Sequence, residues 1–310
     1  MTMMTLARDS LDGLSVGDAL GAQFFVPGTS LADLRDGRPP DGPWPWTDDT
    51  EMACSIVAEL RGRGRIEQDR LAAAFADRFD AYRGYGGGAV TILRQIREGT
   101  PWRDVAGAAF GGQGSMGNGA AMRVAPLGAF HAGDSRGAAL EAMRSAEVTH
   151  ANAEAILGAV AVAVAAAEAG WAREVRHRPE PARLLDSALS YLIDSAVKTG
   201  ISRALWLLGV SVAEAAYELG NGSRVLAQDT VPFALWVAAT YLDDYPSAIT
   251  ACVEAGGDVD TTAAIVGGIV AAYTGVGGTG IPVDWLRRRE PLPSFLDEPP
   301  GSGQGAGTAG

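Results

Sequence analysis

The sequence predicts an all-α protein, and three observations support that fold class. Alanine-rich apolar segments with helical spacing recur along the 310 residues. Convincing strands are absent, because short alternating patches such as 160–164 lie inside longer helical runs. No fixed-period repeat occurs, which disfavours a solenoid. We therefore expect one compact domain of about a dozen helices with glycine-rich loops between them.

The apolar periodicity places the helices in chain order. They are expected over 5–20, 50–61, 68–82, 89–97, 136–148, 153–169, 181–195, 202–219, 231–241, 245–254 and 261–273. Many of the 41 glycines lie at helix junctions, where they allow positive φ and close approach of the backbone to a ligand. The domain is expected to span 1–290. A flexible tail rich in Pro, Gly and Ser is expected over 291–310, because the segment from Glu298 has no apolar anchors.

Composition excludes several classes of protein. Hydrophobic residues make up 47% of the chain, so a sizeable core can form. A net charge of -12 disfavours binding to DNA or RNA, since Lys and Arg are not in excess. A small nucleotide-like ligand stays possible, because a metal or helix N-termini can hold phosphate. Cys54 and Cys252 are expected to be buried thiols of a reducing compartment.

Neither a secretory signal nor a membrane span is expected. The N-terminal segment lacks a basic start followed by an apolar block. The uncharged stretch 261–283 is long enough to cross a bilayer, but it is built from Gly, Ala and Thr. We interpret it as a buried helix that ends near Tyr273 or Thr274. The protein is therefore expected in the cytoplasm.

Two short segments carry more carboxylates than a helix start requires. GGDVDTTAAIVGG places Asp258 and Asp260 before an apolar run, and WTDDTEMA places Asp48 and Asp49 before another. One N-cap needs one residue, and Asp48 with Glu51 makes a capping box. The surplus acids repel each other unless something positive lies between them, and hard oxygen ligands suit Mg²⁺, Mn²⁺ or Ca²⁺. Plain caps and a two-cation site remain alternatives of about equal weight.

Three further stretches are candidates for ligand contact. GSMGNGAAMRVAPLG, residues 114–128, offers backbone N–H groups to an anion or a sugar, although, taken alone, a flexible turn followed by a helix explains it better. Arg123 is expected inside that helix, paired with a carboxylate. RGYGGGAVTIL is a glycine turn that opens a helix. THANAEA holds His150, either a structural histidine or a ligand contact. No Ser or Cys nucleophile with a His base, Walker loop or dinucleotide fingerprint occurs.

Taken in order, these stretches resemble the ADP-ribosylglycohydrolases, all-α hydrolases with two magnesium ions. The resemblance runs from about Leu6 to Trp285 and is most similar to the ADP-ribosylserine hydrolase branch. It rests on GLSVGDALGAQFF, WTDDTEMA, RGYGGGAVTIL, GSMGNGAAMRVAPLG, THANAEAILGA and GGDVDTTAAIVGGIVAAYTG. It implies an orthogonal helical bundle with a dinuclear metal site at helix N-termini.

The resemblance also implies roles for individual residues. Two Mg²⁺ or Mn²⁺ ions would be held by Thr47, Asp48, Asp49, Asp258, Asp260 and Thr261. Gly114, Ser115, Met116, Gly117, Asn118 and His150 would bind the substrate, and Asp48, Asp49 and Asp260 would be catalytic. The implied reaction is hydrolysis at the anomeric carbon of ribose, where the cations orient the ribose hydroxyls and lower the pKa of bound water.

Two positions depart from that branch. Its catalytic Glu on a mobile loop corresponds to Phe25, whose bulky apolar side chain would be able to cover the metal site. The next acids are Asp18, interpreted as structural, and Asp33. Met116 replaces an aromatic residue of the branch.

Three hypotheses follow. The first is a metal-dependent hydrolase of protein-linked ADP-ribose, poly(ADP-ribose) or O-acetyl-ADP-ribose. The second is a non-catalytic ADP-ribose binder that lost the acid, and the third is a purely structural relative, which the six intact ligand positions disfavour. A monomer is expected.

Overall fold

A computed structural model describes residues 1–297 and shows an all-α fold. Sixteen α-helices and four short 3-10 helices occur in this part of the chain, and its only β pairings are isolated bridges. The α-helices are α1 Met3–Ala22, α2 Leu31–Arg35, α3 Asp48–Arg63, α4 Gln68–Arg78, α5 Gly87–Arg97, α6 Trp102–Gly112, α7 Ala125–Phe130, α8 Ser135–Glu147, α9 Ala153–Glu174, α10 Pro181–Leu189, α11 Ala196–Trp206, α12 Val212–Leu219, α13 Ala227–Thr240, α14 Tyr245–Ala255, α15 Val259–Thr274 and α16 Val283–Arg288.

The all-α prediction is confirmed, and the differences have local causes. The helix expected over 202–219 is two helices, α11 and α12, joined by a turn that contains Gly209 at φ +93°. The helices α2, α7 and α16 have five or six residues, too short for a periodic pattern to reveal. The kinked helix α6 was also not predicted from the sequence.

The centre of the fold is the contact between α1 and α15. Gly13, Gly17 and Gly21 follow one another at four-residue spacing on α1. A Cβ on Gly17 would lie 2.1 Å from the Ala263 carbonyl oxygen, and one on Gly21 would lie 2.8 Å from the Asp260 Cα. Only glycine permits this approach of two helix backbones. As a consequence, the middle of α1 lies against the first turn of α15.

The longest helix is buried in the same core. Helix α9 is long and apolar enough to cross a membrane, but most of its side chains are buried inside the protein. The stretch interpreted as a buried helix is α15, which ends at Thr274 as expected. Cys54 and Cys252 are both buried free thiols, and burial raises the pKa of each to about 12.

The first residues of the predicted tail pack onto the domain. Leu296 is buried, and Leu292 and Phe295 pack beside it against α1 and α3. Arg61 donates hydrogen bonds to the carbonyl oxygens of Phe295 and Leu296. The remainder of the predicted tail, 298–310, lies outside the described residues.

Candidate active site

One cavity of about 590 Å³ contains almost every residue that the sequence singled out. Its lining includes the predicted residues Asp48, Asp49, Gly114, Ser115, Met116, Gly117, Asn118, His150, Asp258, Asp260 and Thr261. Of the predicted set, Thr47 alone is not part of the lining, but its hydroxyl lies 3.0 Å from Asp49 Oδ2. Segments that are far apart in sequence therefore meet at one place.

The first turn of α3 is anchored by Asp18 of α1. Asp18 is fully buried, and its carboxylate accepts hydrogen bonds from the backbone N–H groups and the hydroxyls of Thr47 and Thr50, at 2.5 to 3.2 Å. The interpretation of Asp18 as a structural acid agrees with these bonds. Because α1 is in contact with α15, this anchor also fixes α3 relative to α15.

The predicted capping box of Asp48 and Glu51 is wrong. Thr47 is the N-cap of α3, and its hydroxyl accepts from the backbone N–H of Asp49. Glu51 is buried and accepts instead from the Tyr85 hydroxyl at 2.6 Å and the Asp80 N–H at 3.1 Å. Neither Asp48 nor Asp49 therefore serves as the N-cap of α3.

We call the carboxylates at the starts of α3 and α15 the acidic wall: Asp48, Asp49, Asp258 and Asp260. Oxygen atoms of Asp18, Asp49 and Asp260 lie within 4.8 Å of one another. Burial, reinforced by Asp18, raises the pKa of Asp48 to about 7, and burial with Asp258 raises that of Asp260 to about 8. Burial and the same neighbours hold the pKa of Asp49 well above its usual range.

Several features of the acidic wall fit divalent cations. Asp49 Oδ1 is buried and has no hydrogen-bond partner among residues 1–297. Asp258 occupies the N-cap position of α15, yet its side chain makes no capping hydrogen bond. Buried, unpaired carboxylates of like charge are unfavourable alone, and hard cations prefer such oxygens. The residues present therefore fit a metal site.

The opposite side of the cavity, which we call the glycine wall, consists of the loop 114–119 with Thr149 and His150. Gly114 has φ +71°, and a Cβ there would lie 2.6 Å from the backbone nitrogen of Asn152. A Cβ on Gly117 or Gly119 would lie 3.4 or 3.2 Å from His150 Nε2. Ser115 Oγ accepts from the Gly117 N–H, which leaves its own proton free. The loop leaves room beside His150.

Asn118 joins the two walls. It is buried, and its amide nitrogen donates to Asp258 Oδ2 at 2.7 Å and to Thr230 Oγ1 at 3.0 Å. Both amide protons are used by the protein, so only Oδ1 is left for a ligand. Asn118 thus orients a predicted metal ligand in addition to lining the cavity.

Arg123 differs from both expectations for it. It lies in the turn between the 3-10 helix Asn118–Ala120 and α7, outside any helix. It is fully buried, and it has no carboxylate partner among the described residues. Its guanidinium donates to the Ser145 carbonyl, the Thr149 hydroxyl and the Met52 sulfur, and it stacks 4.6 Å from the Phe75 ring. Polar and aromatic groups replace the expected carboxylate.

Several lining residues escaped the sequence analysis. Phe110 and Val225 are two of the three non-glycine residues with positive φ in residues 1–297, and both line the cavity with exposed side chains. Backbone strain of this kind is concentrated at functional sites. Arg224 also lines the cavity, and its backbone N–H and Nε bind the buried Asp229. No motif marked Val225 or Arg224, whereas the glycines after Phe110 did mark a loop.

Phe25 does not cover the acidic wall in this structure. It ends the 3-10 helix Gln23–Phe25, its side chain is 55% exposed, and it is not part of the cavity lining. Asp33, the next acid along the chain, is half-exposed and ion-paired with Arg38 at 2.6 Å. Neither residue places an acid in the cavity, so the Phe25 position has no acidic substitute nearby in sequence.

Comparison with known proteins gives one consistent result. A sequence model of the ADP-ribosylglycohydrolase family matches residues 2–298. The "ADP-ribosylhydrolase ARH3" of Mus musculus is 29% identical over 327 residues, which cover 91% of this chain and 87% of that protein. The Bos taurus protein of the same name is 30% identical over 331 residues, with coverage of 91% and 88%.

Two further similarities extend to an archaeon and to a solved structure. An "Uncharacterized protein" of Archaeoglobus fulgidus is 31% identical over 317 residues, covering 94% of this chain and 93% of that protein. A solved structure titled "ADP-ribosylglycohydrolase-related protein complex" superposes with a TM-score of 0.67 at 26% identity, covering 93% of each chain. The similarity therefore covers nearly the whole chain in both sequence and fold.

Proposed function

The chain belongs to the ADP-ribosylglycohydrolase family and is a hydrolase of ADP-ribosylated substrates, and from this membership we propose its specific reaction. It cleaves the glycosidic bond at the anomeric carbon of an ADP-ribose conjugate in a reaction that depends on two Mg²⁺ or Mn²⁺ ions. The substrates are protein-linked ADP-ribose, poly(ADP-ribose) or O-acetyl-ADP-ribose.

One observation carries this proposal. The acidic wall and the glycine wall face the same cavity of about 590 Å³, which is large enough for a nucleotide-sized ligand. Asp49 Oδ1, buried and unpaired, supports a cation at this place. The glycine wall offers small residues and hydrogen-bond donors of the kind that suits an anionic pyrophosphate, which supports the proposed substrate.

Separate groups of residues would bind the cations and the substrate. Thr47, Asp48, Asp49, Asp258, Asp260 and Thr261 would hold the cations, with Asn118 orienting Asp258 and Asp18 orienting Thr47. When bound, the cations supply positive charge that orients ribose hydroxyls and lowers the pKa of a water molecule. The loop 114–119 and His150 hold the pyrophosphate and the distal ribose. Phe110 and Met116 offer apolar surface to the base.

Phe25 narrows the range of substrates. In hydrolysis the water oxygen adds to the anomeric carbon, and a serine leaving group must take up a proton. Phe25 cannot supply one, and Asp33 is ion-paired outside the cavity. Losing a general acid costs about 10²- to 10⁴-fold in rate. We infer that the enzyme favours leaving groups that need no proton, such as an acetate ester or a cationic guanidinium.

Phe25 also supports a second function. A chain that keeps both walls but lacks the acid would bind ADP-ribose without cleaving its conjugates. The exposed Phe25 side chain favours this alternative for the serine linkage. The structural-relative hypothesis is disfavoured, because a purely structural protein has no need for a buried, unpaired carboxylate.

A panel of substrates tests these proposals. Serine-, arginine- and DNA-linked ADP-ribose, poly(ADP-ribose) and O-acetyl-ADP-ribose are incubated with the protein and Mg²⁺ or Mn²⁺, with and without EDTA. The proposal expects release of ADP-ribose from at least one substrate and its loss in EDTA. Calorimetry that shows ADP-ribose binding without turnover of any substrate supports the binder, and absence of binding contradicts both.

A further inference from the structure

A buried chain of hydrogen bonds runs from Arg123 to His150. The Arg123 guanidinium donates to Thr149 Oγ1 at 3.0 Å, and Thr149 Oγ1 lies 2.7 Å from His150 Nδ1. All three residues are buried, with at most 6% of each exposed. The same terminal nitrogen of Arg123 also donates to the Ser145 carbonyl at 2.7 Å. All three residues line the cavity, Thr149 and His150 as part of the glycine wall.

The chemistry of these groups fixes the position of each proton. A guanidinium carries only donors, so the Thr149 oxygen accepts from Arg123. Among residues 1–297, His150 Nδ1 is the one acceptor within reach of the Thr149 hydroxyl, so a donation elsewhere would leave its proton unpaired. Unpaired buried polar groups are costly. Thr149 therefore donates to Nδ1, which must be the unprotonated nitrogen of the ring.

The remaining nitrogen, Nε2, faces the cavity. The ring lines the cavity, and Nε2 makes no hydrogen bond with the described residues. The space beside Nε2 exists because positions 117 and 119 are glycines, where a Cβ would lie 3.4 and 3.2 Å from it. An Nε2–H group placed there can donate one hydrogen bond to an oxygen of a bound ligand.

We propose that Arg123 and Thr149 are positioning residues that hold His150 as the neutral Nε2–H tautomer, a fixed hydrogen-bond donor to a phosphate or ribose oxygen. The identity of the ligand rests on the proposed function, whereas the tautomer does not. Burial, with the Arg123 charge adding to it, lowers the pKa of His150 to about 3, and Arg123 is the one charged group that contributes to this shift. His150 then donates without carrying a charge.

This arrangement accounts for a buried arginine that has no carboxylate. Burial lowers the pKa of Arg123 to about 9, so the guanidinium is still charged at neutral pH. Its charge opposes protonation of His150, and its N–H groups orient Thr149. A carboxylate in the same place would pair with the charge and favour the imidazolium.

Long-range ¹H–¹⁵N NMR spectra of histidine-labelled protein test the tautomer without any ligand. The chain has only His131, His150 and His177, and the His150 signals are assigned by their loss in His150→Gln. The expected pattern is that of a neutral ring protonated at Nε2, down to about pH 5. An imidazolium or an Nδ1–H pattern for His150 at neutral pH overturns the proposal.

Two variants at one position test the role of the hydroxyl. Thr149→Val removes the hydroxyl at nearly constant shape, and Thr149→Ser keeps it. We expect Thr149→Val to mix the tautomers and to weaken ADP-ribose binding about tenfold, the cost of one misplaced hydrogen bond to a charged ligand. Thr149→Ser is expected to restore both the Nε2–H pattern and the affinity.

The outcomes separate this proposal from the proposed function. Equal ADP-ribose affinity in Thr149→Val and wild type overturns the positioning role. Wild type that binds no ADP-ribose contradicts the proposed function, and the spectrum then decides on the tautomer. If Thr149→Val does not fold, by its near-UV circular dichroism, the wild-type spectrum and Thr149→Ser carry the test.

Discussion

The two walls of the cavity are built on opposite electrostatic principles. In the glycine wall, hydrogen bonds from Arg123 to Thr149 and between Thr149 and His150 Nδ1 are formed before a ligand arrives. In the acidic wall, Asp49 Oδ1 is buried without a partner, and the pKa of each of Asp48, Asp49 and Asp260 is raised by burial and by neighbouring acids.

The difference shows what each wall requires. The glycine wall is organised by the fold alone, so its geometry should persist without ligands. The acidic wall is unfavourable as it stands, because its charges are buried together. The proposed cations would offset this repulsion, as expected of a site that is kept for function at some cost in stability.

The largest expected effect is on hydrolysis. Asp49→Asn and Asp260→Asn keep the shape of the acidic wall but remove one charge each. Loss of a group that only supports a metal ligand costs about 10- to 100-fold, so loss of a ligand should lower ADP-ribose release at least about 100-fold. The control is Asp194→Asn, an exposed carboxylate paired with Lys198, which should be near wild type. Activity above a tenth of wild type in Asp49→Asn would rule out that ligand.

The next largest effect is expected on stability when the glycine wall is changed. Gly114→Ala should destabilise the protein by about 2 to 4 kcal/mol, because it combines positive φ with a clash against Asn152. Gly112→Ala is the matched control: its φ is +85° but its Cβ would meet nothing within 4 Å, so about 1 kcal/mol is expected. Denaturant unfolding compares the two. Equal losses would show that the loop is not tightly packed.

In EDTA, the acidic wall should make the folded protein less stable as pH rises. Burial and neighbouring acids raise the folded pKa values of Asp48, Asp49 and Asp260 above that of a free aspartate, to about 8 for Asp260. A raised pKa contributes stability at low pH that is lost as pH rises through the folded value. Between about pH 7 and about pH 9, where histidines are neutral in both states, the melting temperature should fall.

Asp49→Asn and added Mg²⁺ test the same explanation of the melting temperature in two further ways. The variant should melt higher than wild type in EDTA at about pH 8, since it removes one of the repelling charges. Saturating Mg²⁺ should raise the melting temperature of wild type, and more so at higher pH, because cations compete with protons for the same oxygens. If the melting temperature of wild type changes with neither pH nor Mg²⁺, the two walls do not differ in their electrostatics.

The smallest effect on stability is expected at Phe25. Its side chain is 55% exposed and outside the cavity, so Phe25→Glu should leave the melting temperature nearly unchanged. It should raise cleavage of the serine linkage if its segment reaches the acidic wall, with Phe25→Gln as the uncharged control. Equal rates in wild type, Phe25→Glu and Phe25→Gln would show that this position takes no part in proton transfer.

The sequence predicted the acidic wall better than the glycine wall. Paired acids before apolar helices are a local signal, and the structure brings Asp48, Asp49, Asp258 and Asp260 together. The contact that does so, through Gly13, Gly17 and Gly21, depends on which helices pack, and no local pattern specifies that. Arg123 was misjudged for the same reason, because its partners Ser145 and Thr149 lie on a distant segment.

Direct titration of cations into metal-free protein tests the central claim that the acidic wall is completed by divalent ions. Calorimetry with Mn²⁺ should show two ions bound per wild-type chain, with binding weakened at least about 100-fold in Asp49→Asn. Asp194→Asn should match wild type. Absence of Mn²⁺ binding to wild type at millimolar concentration, or equal binding to Asp49→Asn and wild type, would contradict the account.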